Sequence, residues 1–260
     1  MLDKRQHYLQ IALNGTLTDA RAIISELPSS PRLIYEAGTP FIKRYGEDGI
    51  RSLRSAIDAK LGFGFPVIPQ AKNYGLIGLL ADGIFAASRT NRPAPKAGVT
   101  SERPYLVADI KAIDRGQTEV EICARGGANA ATVMGTAPVE TLDAFIDQCA
   151  KHNLDAMVDM MNVEFPIEVL SKLRKRPKVV ILHRGVDEEQ VNHEKQIPFW
   201  AIQRIIGTYD VMIAIAGGDT AREVQRAAFN GAHIVVVWKD FYASTANTKT
   251  LAEAFLKDTK

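Results

Sequence analysis

Short apolar runs alternate along the chain with longer amphipathic segments, the pattern of parallel strands joined by crossover helices. The runs fall at 9–13, 32–36, 105–109, 130–134, 155–159, 179–183, 211–215 and 233–237. The punctuation between them suits helices. The segment 18–27 stops before Pro28, 138–152 opens on a proline fit for a first turn, and 220–230 stops at Gly231. Eight strand–helix units predict a closed (β/α)8 barrel; an open doubly wound sheet is the alternative, because a strand count does not itself establish closure.

One stretch breaks the rhythm. Residues 60–104 are rich in Gly and Pro, with a predicted helix at 76–88 followed by the loop-like RTNRPAPKAGVTSERP. The whole chain, 1–260, therefore reads as a single barrel domain carrying an insertion between its second helix and third strand. In a barrel that insertion emerges opposite the usual active-site face, either as a plain surface segment or as a contact for another chain.

Composition narrows the setting. At 260 residues the chain matches the ~250 of a complete (β/α)8 barrel. With 46% hydrophobic and 24% charged residues it has material for a large core and a polar surface. A net charge of +2 gives no reason to expect nucleic acid, and Lys172, Arg174, Lys175, Arg176 and Lys178 read as a solvated helix end. Cys123 and Cys149 lack CxxC spacing and form no disulfide framework, which fits a reducing, cytoplasmic setting. No signal-like N-terminus and no apolar run near the ~20 residues of a membrane span are present, so neither export nor insertion is expected.

The chemistry gathers at the predicted strand ends: Asn14, Glu36, Asp109 with Lys111 and Asp114, Asp159, His183 with Arg184, Gly217 with Gly218, and Lys239. One charged residue there is ordinarily a helix cap or solubiliser; repetition at one structural level is what points to a site. In ADIKAID, Asp109 and Lys111 are two apart, so extended backbone puts them on one side, with Asp114 following in the loop. Two carboxylates around an ammonium, Asp109 and Asp114, would keep the lysine charged, and one of them together with Glu36 would suit a hard divalent cation, the alternative being a structural ion pair. His183, one strand from Asp159, is either a general base or a satisfied core histidine. IAIAGGDT bares backbone N–H groups at a helix start, a phosphate cradle. HEKQI lacks the second histidine of a zinc protease, and no GKS/T loop or GxSxG elbow occurs.

Taken together, LQIALNG, YEAGTPFIKRYG, YLVADIKAID, ATVMGTAP, AMVDMMNV, VILHRGVD and IAIAGGDT look like the 3-hexulose-6-phosphate synthase branch of the orotidine 5′-monophosphate decarboxylase superfamily. The resemblance spans nearly all the chain except 60–103. It implies a (β/α)8 barrel, usually a homodimer, acting on a phosphorylated sugar. It implies that Glu36 and Asp109 resemble Mg2+ ligands, that Lys111 sits beside the reacting oxygens, and that Asp114 reaches the partner's site. Asp159 and His183 match proton-transfer positions, and Gly217 with Gly218 the phosphate turn. Asn14, Arg184 and Lys239 complete the expected substrate contacts. The implied reaction is condensation of formaldehyde with a ketose phosphate through an enediolate. The alternatives are a decarboxylase of 3-keto-L-gulonate-6-phosphate type, or a barrel with another ligand or an assembly role. Two positions depart from the family pattern. Asn14 stands where an aspartate is usual, and Trp238-Lys239 where Gly-Arg is usual. An amide cannot exchange protons as a carboxylate does, and lysine lacks the bidentate fork of arginine.

Overall fold

A computed structural model describes residues 2–63, 103–192, 194, 196–217, 221–238 and 247–258. Eight strands run in order round a closed, all-parallel barrel: β1 (Tyr8–Leu13), β2 (Leu33–Ala37), β3 (Tyr105–Ala112), β4 (Ala130–Met134), β5 (Asp155–Asp159), β6 (Val179–His183), β7 (Met212–Ala216) and β8 (Ile234–Val237). The seam closes where β8 pairs with β1, from Tyr8 opposite Ile234 to Ile11 opposite Val237. This is a (β/α)8 barrel, not an open sheet.

Alternation explains why the runs look continuously apolar. Successive side chains face opposite sides, and here both sides are dry. Ala12, Ile34, Val107, Ala130, Met157, Val179, Met212 and Ile234 fill the barrel interior. Leu9, Ile11, Leu33, Tyr35, Leu106, Val158 and Ile213 point outward into a second core beneath the helices.

Among the described residues the helices are α1 (Leu17–Glu26), α2 (Thr39–Lys60), α3 (Gly116–Gly126), α4 (Val139–Lys151), α5 (Pro166–Lys172), α6 (Val186–Val191), α7 (Phe199–Thr208), α8 (Ala221–Phe229) and α9 (Thr248–Asp258). Thr16 and Asp19 cap the start of α1 reciprocally. Its far end is capped by Lys60, whose ammonium donates to the carbonyls of Ile24, Ser25 and Leu27. α2 is broken at Gly46, where the backbone leaves helical geometry at φ 59°, ψ −148°.

The predicted helix at 76–88 and most of the expected insertion lie outside the described residues. The chain's return into β3 is fixed by Arg54, which is buried. Its guanidinium donates to the carbonyls of Gly127 (2.9 Å) and Pro104 (2.8 Å) and to Asn129 Oδ1 (2.5 Å). The basic run after α5 is a solvated surface, with Arg174 and Lys175 paired to Asp143 and Asp147 of α4. No helix among the described residues is long and apolar enough to cross a membrane.

Candidate active site

At the C-terminal ends of the strands the inward positions cease to be apolar. Glu36 (β2), Asp109 and Lys111 (β3), Thr132 (β4), Asp159 (β5) and His183 (β6) line one cavity of about 240 Å³, with Gln10, Asn14, Gly217 and Trp238. The barrel register brings together residues from five successive strands, as active sites of this architecture require.

Asp159 is the centre of the network and is fully buried. Its Oδ2 accepts from His183 Nδ1 (2.8 Å) and Lys111 Nζ (2.7 Å), and its Oδ1 from the Met161 N–H (2.9 Å). Burial alone would raise its pKa, but the His183 and Lys111 charges outweigh burial and hold the carboxyl well below the usual range. In the neutral tautomer that donates its Nδ1–H to this carboxylate, the lone pair of His183 stands on Nε2.

Burial pulls the Lys111 ammonium down, yet the charges of Asp109 and Asp159 more than offset it, so its pKa lies above its ordinary value. Its Nζ is 3.1 Å from the Asp109 carboxylate. Asp109 is held in turn by the hydroxyls of Thr132 (2.8 Å) and Thr39 (2.7 Å). The expected placement of Asp109 and Lys111 on one side holds, but not through plain extended backbone. Lys111 adopts left-handed geometry (φ 49°), the pairing with β4 shifts register between Ala108 and Ala112, and the Lys111 N–H donates to Thr132 Oγ1 (2.9 Å).

Four expected site residues stand apart from this cluster or lie outside the described residues. Asp114 is exposed and outside the cavity of its own chain; the second carboxylate beside Lys111 is Asp159. Arg184, expected to face the substrate, is buried and turned toward the carbonyls of Glu189 and Asn192, because these are the acceptors within its reach. Gly218 and Lys239 lie outside the described residues. Asn14 does line the cavity, and it is packed against Gly38 so closely that a Cβ there would stand 1.8 Å from Asn14 Oδ1.

Gln10, Thr39 and Thr132 join the site without having been singled out in the sequence. Gln10 Nε2 donates to Glu36 Oε2, while Gln10 Oε1 is buried with no partner. Burial first, then the neighbouring charge of Asp109, raises Glu36 to about 7. Two carboxylates and an orphaned amide oxygen form an oxygen-only donor set suited to a hard cation. No group of three or more His, Cys, Asp or Glu among the described residues is placed to hold a metal. The fit to Mg2+ rests on the chemistry of these oxygen donors alone, since that ion takes one or two carboxylates and completes its shell with water and substrate.

Residues 100–254 match the profile of the Orotidine 5′-phosphate decarboxylase / HUMPS family. The chain belongs to this family. A "Bifunctional enzyme Fae/Hps" of Methanosarcina mazei is 31% identical to it over 254 residues, covering 96% of this chain and 52% of that protein. The chain spans about half the length of the curated relatives it matches. Among solved structures, 3-hexulose-6-phosphate synthase from Salmonella typhimurium shares the fold with a TM-score of 0.71 at 21% identity, covering 97% of this chain and 98% of that one. KGPDC from Streptococcus mutans in complex with D-R5P gives 0.69 at 16%, covering 97% of each chain.

Proposed function

We propose that this barrel is an aldehyde-lyase of 3-hexulose-6-phosphate synthase type, joining formaldehyde to a ketose phosphate. The observation that carries the reading is the Lys111–Asp159–His183 chain of hydrogen bonds beside Glu36 and Asp109, at the mouth of one barrel.

His183 Nε2, its ring oriented by Asp159, removes the proton from the carbon next to the ketose carbonyl. The C–H pair becomes the enediolate, whose developing oxyanion faces the Lys111 ammonium. The enediolate carbon then forms the new C–C bond to formaldehyde, and the formaldehyde oxygen takes up the proton that His183 carries. Glu36 and Asp109 would hold Mg2+, which when bound supplies Lewis-acid polarisation of the substrate oxygens. Asn14 contacts a substrate hydroxyl without proton chemistry. Gly217, with Gly218 and Lys239, takes the phosphate end, and Trp238 shapes that side of the cavity. Asp114, exposed on its own chain, serves the site of a second protomer in a homodimer.

The first experiment is calorimetric titration of ribulose 5-phosphate with Mg2+ and then with a chelator, followed by a formaldehyde-condensation assay. Metal-dependent binding with loss of formaldehyde is expected. Binding without condensation, but with carbon dioxide released from 3-keto-L-gulonate 6-phosphate, would reassign the chain to the decarboxylase. No binding in either condition would remove the enediolate reading.

A further inference from the structure

The segment that follows His183 is a weakly anchored wall of the cavity. α6 is six residues long and buries none of its side chains; Val191 is 84% exposed. A helix of that length is not stable on its own, and no buried apolar face ties this one to the barrel. Yet Gly185 and Val186 line the cavity, so the position of α6 shapes the site.

Polar contacts hold it. At its start, Glu188 Oε2 accepts the Gly185 N–H at 3.1 Å. At its end, the Arg184 guanidinium donates to the carbonyl of Asn192 at 2.9 Å and reaches that of Glu189 at 3.4 Å. A cation at the C-terminus of a helix is favourably placed. No carboxylate among the described residues pairs with Arg184, which is 8% exposed and has its Nε buried without a partner. The backbone of Arg184 is fixed from the opposite side. Its N–H donates to the Ala216 carbonyl at 3.0 Å. Gly217 packs against it so tightly, at φ +91°, that a Cβ would stand 2.0 Å from Arg184 O. One residue thus joins the base-bearing strand, the glycine turn after β7 and α6.

We propose that Arg184 is a positioning residue that docks α6 as a wall of the substrate cavity, and not a ligand of the substrate's phosphate. The inference rests on reading the cavity as the substrate site. Without the guanidinium, α6 loses a tether at its C-terminal end and the cavity loosens on that side. Substrate binding weakens, while proton transfer is spared, because Asp159, Lys111 and the His183 side chain make no hydrogen bond to α6.

Hydrogen exchange in the ligand-free protein tests the docking directly, comparing the parent with Arg184→Lys, Arg184→Ala and Glu188→Ala. Amides of 186–192 should exchange at least about tenfold faster in Arg184→Ala and Glu188→Ala and less so in Arg184→Lys, with β1 and β4 unchanged. In the condensation assay, KM for ribulose 5-phosphate should rise about tenfold in Arg184→Ala with kcat within about threefold, and Arg184→Lys should recover part of the loss. Unchanged exchange over 186–192, or a loss carried by kcat alone, overturns the proposal. Should Arg184→Ala fail to fold, Arg184→Lys and Glu188→Ala carry the same comparison. The exchange result needs no turnover, so an inactive parent would count against the synthase reading and leave the docking question answered.

Discussion

A carboxylate withdrawn from water needs donors, and Asp159 has three, two of them from the groups proposed to do the chemistry. Lys111 is the shared member, since it also touches Asp109. Replacing it with alanine should lower kcat/KM by ~10²-fold or more, read from steady-state rates with the fold checked by circular dichroism. Glu36 gives a prediction of opposite character. Its folded pKa, about 7, lies above its ordinary 4.5, so the folded chain binds the extra proton between these values. Its contribution to stability is therefore present below 4.5 and lost as pH rises through 7, on the order of 3 kcal/mol in the metal-free protein. Denaturation in chelator at pH 5 and pH 8 should show this loss relative to a Glu36→Gln variant, and Mg2+ should restore more stability at pH 8. The ionisable members of the site were legible because charge at an apolar strand end is conspicuous. Gln10, Thr39 and Thr132 were not, because a neutral polar residue inside LQIAL, EAGTP or ATVM reads as ordinary strand or cap material.

At the level of elements, β4, β5 and β6 begin and end where the sequence predicts, because polar residues or turns abruptly bound their apolar runs. β1, β2, β7 and β8 begin or end one residue from expectation, within the fraying of any strand boundary. β3 is the larger departure, running to Ala112 instead of stopping at Asp109. Left-handed backbone at a lysine leaves no signal in side-chain patterning, so neither the register shift nor the true partner of Lys111 could be read beforehand. Helix α2 carries the element-scale prediction. Arg54 satisfies the carbonyls of Gly127 and Pro104 and the side chain of Asn129, so Arg54→Ala should cost about 3 kcal/mol in urea denaturation. Turnover at permissive temperature should be retained, since none of these groups lines the cavity.

The molecule as a whole is a closed ring of parallel strands whose inner wall changes from apolar to ionisable over one turn of residues. Closure was predicted from the count of eight units; the proposed assembly rests on Asp114, which lies outside its own cavity. If that carboxylate serves a neighbouring protomer, Asp114→Asn and His183→Asn chains, each inactive alone, should complement when refolded together. Random pairing leaves one intact site in half of the dimers, and so about a quarter of parental specific activity. Absence of recovery, with mixed dimers confirmed by native mass spectrometry, would place Asp114 outside the reaction. The interruption of α2 at Gly46 bears on how such a protein can change over generations. Its leading half carries Thr39, which steadies Asp109, whereas its trailing half carries Arg54, which steadies the opposite end of the barrel. A continuous rod would pass a displacement from one end to the other, but a rod broken at a glycine passes little. Heat-adapting substitutions in the trailing half can therefore accumulate without a toll on turnover, and a selection for thermal tolerance should find its mutations there.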